Sequence, residues 1–130
     1  MGKTEMKIMK IRKSAEDYLE AILILQDRLG NVHAIDIANE LNFSKPSVSV
    51  AMKNLKEHGY ITIDDFNHIH LTEKGHKVAD AVYERHTTLT RFFIHLGVEP
   101  KQAEDDACIV EHDISEETFQ AIKNFLKKDA

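Results

Sequence analysis

Apolar residues first recur at helical spacing at Tyr18, Ala21, Ile22 and Leu25. Ser14 can cap this helix, with Asp17 three residues on, and Gly30-Asn31 ends it. A short helix over Ala34 to Leu41 follows, with Ile35, Ala38 and Leu41 on its expected buried side. Asn42-Phe43 forms a tight turn. Ser44 caps the next helix, and Pro46 falls in its first turn, where a missing N–H costs nothing. Val48, Ala51, Met52 and Leu55 supply its stripe, and His58-Gly59 closes it. The period then switches to two. Tyr60-Ile61-Thr62-Ile63 and His68-Ile69-His70-Leu71 alternate about the polar turn Asp64-Asp65-Phe66-Asn67, which predicts a hairpin. Thr72 caps a long helix running to about Leu96, where Gly97 stops it. Pro100 opens a helix that carries Ala103, Ala107 and Val110 and ends near Asp113. Ser115 caps a last one, with Glu116 and Glu117 in its first turn, where the helix dipole favours acids.

Two helices joined by a tight turn and followed by a hairpin form the winged helix-turn-helix pattern. The expected fold is mainly α, with this winged unit followed by a helical segment. The second helix of the motif presents Lys45, Pro46, Ser47 and Ser49 at its start. Small, polar and basic side chains there can reach base edges and phosphates. Lys53 and Lys56 add phosphate partners on later turns. The hairpin tip would lie near the backbone, but its two acids, Asp64 and Asp65, make it a poor phosphate ligand. Winged helices also serve protein contacts; the polar start of the second helix favours double-stranded DNA.

Charge distribution agrees with this better than net charge does. The 130 residues carry a formal charge of −5, which argues against generic nucleic-acid binding. Yet Lys3, Lys7, Lys10, Arg12 and Lys13 make the leader basic, while Glu99, Glu104, Asp105, Asp106, Glu111, Asp113, Glu116 and Glu117 make a late segment acidic. Such a chain can offer a basic face to DNA and gather carboxylates for a cation. No run approaches the ~20 apolar residues of a membrane span, and the leader lacks the apolar stretch of a secretory signal. A cytoplasmic location with no membrane partner is expected. The single cysteine, Cys108, excludes a disulfide within the chain. Leu89, Phe92, Phe93 and Leu96, with Phe119, Ile122, Phe125 and Leu126 on the last helix, are more apolar surface than a small domain hides alone. A two-fold homodimer interface is expected there, matching a palindromic DNA site.

Donor atoms also cluster by spacing. Asp17 and Glu20 are three apart on the first helix and share a face. Cys108, Glu111 and His112 stand at i, i+3 and i+4 on the later one. Thiolate, carboxylate and imidazole on one stripe form a transition-metal donor set. Spacing of this kind is common by itself.

The segments AEDYLEAILIL, IDIANELNFSKPSVSVAMKNLKEHGYI, LTEKG and DACIVEHDISEETFQAI together resemble the diphtheria-toxin-repressor family, with the shorter manganese-transport-regulator branch the nearer match. The resemblance covers nearly all the chain beyond the basic leader. It implies a winged helix-turn-helix DNA-binding domain over residues 1–74 and a helical metal-binding and dimerisation domain over 75–130. It implies that Asp17 and Glu20 from the first helix, His86 from the long helix, and Cys108, Glu111 and His112 together bind metal. Asp17 resembles the manganese-responsive type, whereas Cys108 resembles the iron-responsive type. Oxygen donors favour Mn²⁺, and a thiolate favours Fe²⁺, Co²⁺ or Zn²⁺. Iron-type members use a glutamate four residues after the long-helix histidine for an ancillary site. That position is Thr90, while Glu104 offers a carboxylate for a second ion. The SH3-like third domain of longer members is expected to be absent, because the sequence stops just after the last helix. His33, His58, His68, His70 and His76 match no family metal position and read as surface; His95 reads as a candidate for the dimer interface.

The function implied is a metal-dependent repressor of metal-uptake genes, binding operator DNA as a dimer with Mn²⁺ or Fe²⁺ bound. One rival is a winged-helix regulator that senses an organic ligand or oxidation of Cys108. A second, a metalloenzyme using Glu111 as general base beside His112, finds no HExxH or nucleophile elbow in support.

Overall fold

The computed structural model describes the backbone of residues 3–128 and the side chains of residues 13–128. The leader side chains Lys3, Lys7, Lys10 and Arg12 lie outside the described residues. The chain divides into two compact units, Met1–Asp80 and Ala81–Ala130.

The first unit is built from α1 (Lys3–Leu29), α2 (Ala34–Leu41), α3 (Lys45–Glu57), β1 (Ile61–Ile63), β2 (Ile69–Leu71) and the start of α4 (Glu73–His95). Helix α1 begins eleven residues before Ser14, so Ser14 is not its cap. The stretch from Lys3 to Lys13 contains neither proline nor glycine and is rich in lysine and methionine, so nothing stops the helix from extending. Its far end obeys the expected signal: Gly30 takes φ +82°, and its N–H donates to the Gln26 carbonyl.

Tyr18, Ala21, Ile22 and Leu25 are buried as their spacing requires. Tyr18, Ile22 and Leu25 pack with Ile37 and Ala38 of α2 and Val48, Met52 and Leu55 of α3. Each large aliphatic side chain buried there stabilises the unit by about 1.5–3 kcal/mol. The α2 expectation needs one correction. Ile37 is fully buried whereas Ile35 is 40% exposed, because the core-facing stripe is centred on Ile37-Ala38. Helix α3 is capped as expected: the Ser44 hydroxyl accepts from the Ser47 N–H at 3.3 Å.

The hairpin pairs Ile61 with Leu71, Thr62 with His70, and Ile63 with Ile69, antiparallel. Ile61 and Ile69 are buried in the core. Alternation along the strands therefore turns Thr62, His68 and His70 to the other face. A further bridge joins Ile69 to Val32, with the Ile69 N–H donating to the Val32 carbonyl at 2.7 Å.

Thr72 caps α4, its hydroxyl accepting from the Gly75 N–H at 3.1 Å. Here α4 crosses tightly over the start of the hairpin. A Cβ on Gly75 would lie 2.0 Å from the Tyr60 carbonyl oxygen.

The second unit holds the rest of α4, α5 (Pro100–Val110) and α6 (Glu116–Lys128). Glu99 caps α5, accepting from the Gln102 N–H, and α5 ends at Val110 rather than Asp113. Val82, Leu89, Ala103, Ala107, Phe119 and Leu126 are buried. Three of the eight residues expected at a dimer interface, Leu89, Phe119 and Leu126, are thus already buried without a second copy. Leu96 and Phe125 of that set remain 61% and 45% exposed.

Replacing Gly75 by alanine drives a methyl group into backbone that has no rotamer to yield. We expect Gly75→Ala to lower unfolding free energy by about 1–3 kcal/mol or more in urea titrations. An unchanged midpoint would contradict the close approach.

Candidate metal centre and nucleic-acid face

Three donor atoms converge in the second unit. His86 is carried by α4, Cys108 by the last turn of α5, and Glu111 is the C-cap residue of α5. One ligand atom each from His86, Cys108 and Glu111 lies within 4.8 Å of the others. His86 Nδ1 is 2.8 Å from Glu111 Oε2 and 3.7 Å from Cys108 Sγ. The second carboxylate oxygen, Oε1, lies 3.4 Å from His112 Nε2. Glu111 and His112 have side chains only 1% and 2% exposed. Contact with the Cys108 sulfur and then the Glu111 carboxylate pushes His86 up to about 10, against the opposing effect of burial.

The i, i+3, i+4 spacing of Cys108, Glu111 and His112 was legible, but not what holds Glu111 in place. Arg85, one residue before His86, donates to the Glu111 carbonyl at 3.3 Å and the Ile114 carbonyl at 2.8 Å. It also pairs with Glu116 Oε2 at 2.8 Å. These carbonyls lie where α5 has ended and intrahelical donors have run out. Arg85 thus fixes the α5–α6 corner that carries Glu111 and His112. Sequence reasoning passed over it because a basic residue on a long helix reads as solvated.

Thr90 does not offer a free ligand: its hydroxyl donates to the His86 carbonyl at 2.7 Å, four residues back. Glu104 is exposed, with Oε1 3.9 Å from His86 Nε2. In the first unit, Asp17 and Glu20 are half-buried one turn apart on α1. The Asp17 charge, together with burial as the larger effect, raises the neighbouring Tyr18 phenol.

The DNA-reading candidates are all exposed on α3: Lys45, Pro46, Ser47, Ser49, Lys53 and Lys56. Helical geometry places Pro46, Val50 and Lys53 nearest the direction opposite the buried Val48, Met52 and Leu55, with Ser47 and Ser49 on the two flanks. The Ser47 hydroxyl accepts from Ser44 Oγ at 2.8 Å. Val50, 61% exposed at the centre of the outward face, was missed, because an apolar residue in a helix is first assigned to the core. Exposed there, it can meet a thymine methyl group.

The sequence model of the iron-dependent repressor N-terminal DNA-binding domain matches residues 10–69. That of the iron-dependent repressor metal-binding and dimerisation domain matches residues 72–129. The chain belongs to the iron-dependent repressor family, that of the diphtheria toxin repressor. Among family members, the transcriptional regulator MntR of Escherichia coli O6:H1 is 36% identical over 117 residues, spanning 90% of this chain and 76% of that protein. The fold is similar to that of the manganese regulator SloR, with TM-score 0.77, 28% identity and 87% of this chain covered. It is also similar to a manganese-dependent transcriptional repressor in complex with manganese, with TM-score 0.81, 27% identity and 87% covered. The chain spans about half the length of these two structures, 53% and 52% respectively. The family's two domain models meet at residues 69–72, and the two compact units meet at residues 80–81, within α4. No described helix is long and apolar enough to cross a membrane.

His86 supplies a pH dependence with a definite sign. Its raised value means that the metal-free folded chain holds this proton more tightly than the unfolded chain. The resulting stability is fully present below pH 6.5 and is lost as pH rises through about 10. We expect the urea midpoint of metal-free protein to fall across that window, and the fall to be smaller in His86→Gln. Parallel profiles would contradict the pairing.

Proposed function

We propose that this chain is a metal-dependent transcriptional repressor that binds palindromic operator DNA as a homodimer in the cytoplasm and controls metal-uptake genes. The observation carrying this reading is the convergence of His86, Cys108 and Glu111 in the part that matches the family's metal-binding domain model. The donor set fits a divalent cation: imidazole, sulfur and a buried carboxylate lie within reach of one ion. By the family pattern, Asp17, Glu20 and His112 are the further ligands. Bound metal supplies positive charge and directed coordination.

The chain's own residues then account for the switch. Glu111, Asp17 and Glu20 are carboxylates, and their mutual repulsion opposes their being gathered. The proton on His86 partly answers Glu111 in the metal-free chain and must leave for the imidazole to ligate. Arg85 keeps Glu111 and His112 oriented throughout. By the same family pattern, ligands would come from both parts of the chain, and a bound cation would favour the dimer arrangement in which two α3 helices match successive major grooves. The mixed oxygen, nitrogen and sulfur set suits Mn²⁺ or Fe²⁺, with Co²⁺ and Zn²⁺ able to substitute. The similar structures include a manganese regulator and a manganese-dependent repressor in complex with manganese.

Fluorescence anisotropy with a palindromic operator is expected to show binding with Mn²⁺ or Fe²⁺ (anaerobic) and little with EDTA. His86→Ala is expected to lower metal affinity more than about 100-fold, beyond the loss of an outer-sphere partner, and with it operator affinity. Lys53→Ala is expected to weaken operator binding with metal present and to reduce the salt slope by about 1. Equal operator binding under EDTA would discard the metal switch. A response to peroxide lost in Cys108→Ser would then favour the oxidation-sensing alternative.

A further inference from the structure

The wing carries a second group of donor atoms, within the first unit and outside the family's metal ligands. Asp64 opens the hairpin turn. Its Oδ1 accepts from the Phe66 N–H at 2.8 Å and the His68 N–H at 3.0 Å. Asn67 takes φ +62° to complete the turn. With Oδ1 so engaged, Oδ2 faces two imidazoles: His70 Nε2 at 2.9 Å and His68 Nδ1 at 3.3 Å. The strand period puts His68 and His70 on one face, away from Ile69 and the core. His33 packs edge-on against His68, ring centroids 4.7 Å apart, and restricts its rotation.

We propose that Asp64, His68 and His70 form a divalent transition-metal site on the wing. One donor atom from each lies within 4.8 Å of the others. A tetrahedral ion with arms of about 2.1 Å sets its ligands about 3.4 Å apart, so closure on an ion needs only small side-chain rotations. Orientation is already supplied, because the backbone N–H groups that hold Oδ1 fix the plane of the carboxylate. Two imidazoles and one carboxylate select Zn²⁺, Co²⁺, Ni²⁺ or Cu²⁺ over Mn²⁺. All three side chains retain solvent exposure, which leaves coordination positions for water. A dication here offsets Asp64 and Asp65 at the hairpin tip, the feature that otherwise makes the wing a poor neighbour for phosphate.

The alternative is a turn lock in which Asp64 and the two histidines share only protons. Zn²⁺ titration of the full chain distinguishes the two, read by ¹H–¹⁵N spectra of the histidine rings and by Zn²⁺ counted after equilibrium dialysis. The background is His86→Gln, so that the wing is read apart from the other cluster. Saturation is expected to shift His68 Nδ1 and His70 Nε2 together. Asp64→Asn in the same background preserves the turn, because the amide oxygen still accepts from Phe66 and His68. It presents an NH₂ in place of Oδ2, and Zn²⁺ affinity at the wing is expected to fall more than about 100-fold. Far-ultraviolet melting verifies that the variant is folded. Unshifted His68 and His70 nitrogens at saturating Zn²⁺, or equal wing affinity in Asp64→Asn, would overturn the site.

Discussion

The second unit is organised around one buried carboxylate. Burying a charge is costly unless it is paired and hydrogen-bonded. Glu111 meets that requirement with His86 on one oxygen and His112 near the other. It sits at the end of α5, where the helix has stopped supplying backbone partners, and Arg85 takes up the carbonyls left over. On the proposed reading, the same arrangement that makes the carboxylate tolerable also suits it to a cation. A proton on His86 and a divalent cation are two answers to the same negative charge. Only the cation can also engage sulfur and further oxygens in fixed directions.

Much of this was legible in the sequence, for identifiable reasons. The α3 cap, the hairpin and the buried stripes of α1 and α3 follow from Ser44, Pro46 and the change of hydrophobic period near Tyr60. Those are local rules, and the structure obeys them. The start of α1 was misjudged because a capping serine also occurs inside helices when the preceding residues favour continuation. Ile35 was misassigned because an eight-residue helix offers two stripes of similar apolarity. Cys108, Glu111 and His112 stood out by spacing, whereas His86 came only through family resemblance. Its nearness to Glu111 is a contact 25 residues apart in sequence, which no periodicity encodes. Arg85 was passed over for the same reason, its partners lying 26 to 31 residues on, whereas the wing histidines were set aside because they match no family metal position.

The division of labour along the chain is one of rigidity and charge. The first unit has a continuous aliphatic core, so α3 is presented on a firm base with its small and basic residues outward. The second has a smaller core and concentrates its ionisable groups at the α5–α6 corner. Several of its apolar residues are satisfied within the chain, while Tyr83, Ile94, Leu96, Ile109 and Phe125 remain exposed.

Cobalt absorption spectroscopy tests the central claim most directly, because the chain has a single cysteine and a thiolate–cobalt bond has its own charge-transfer band. Anaerobic addition of Co²⁺ is predicted to produce that band, with Cys108→Ser abolishing it and His86→Ala weakening it. A Co²⁺-saturated chain with no thiolate band, or one whose band survives Cys108→Ser, would contradict a metal centre built from His86, Cys108 and Glu111.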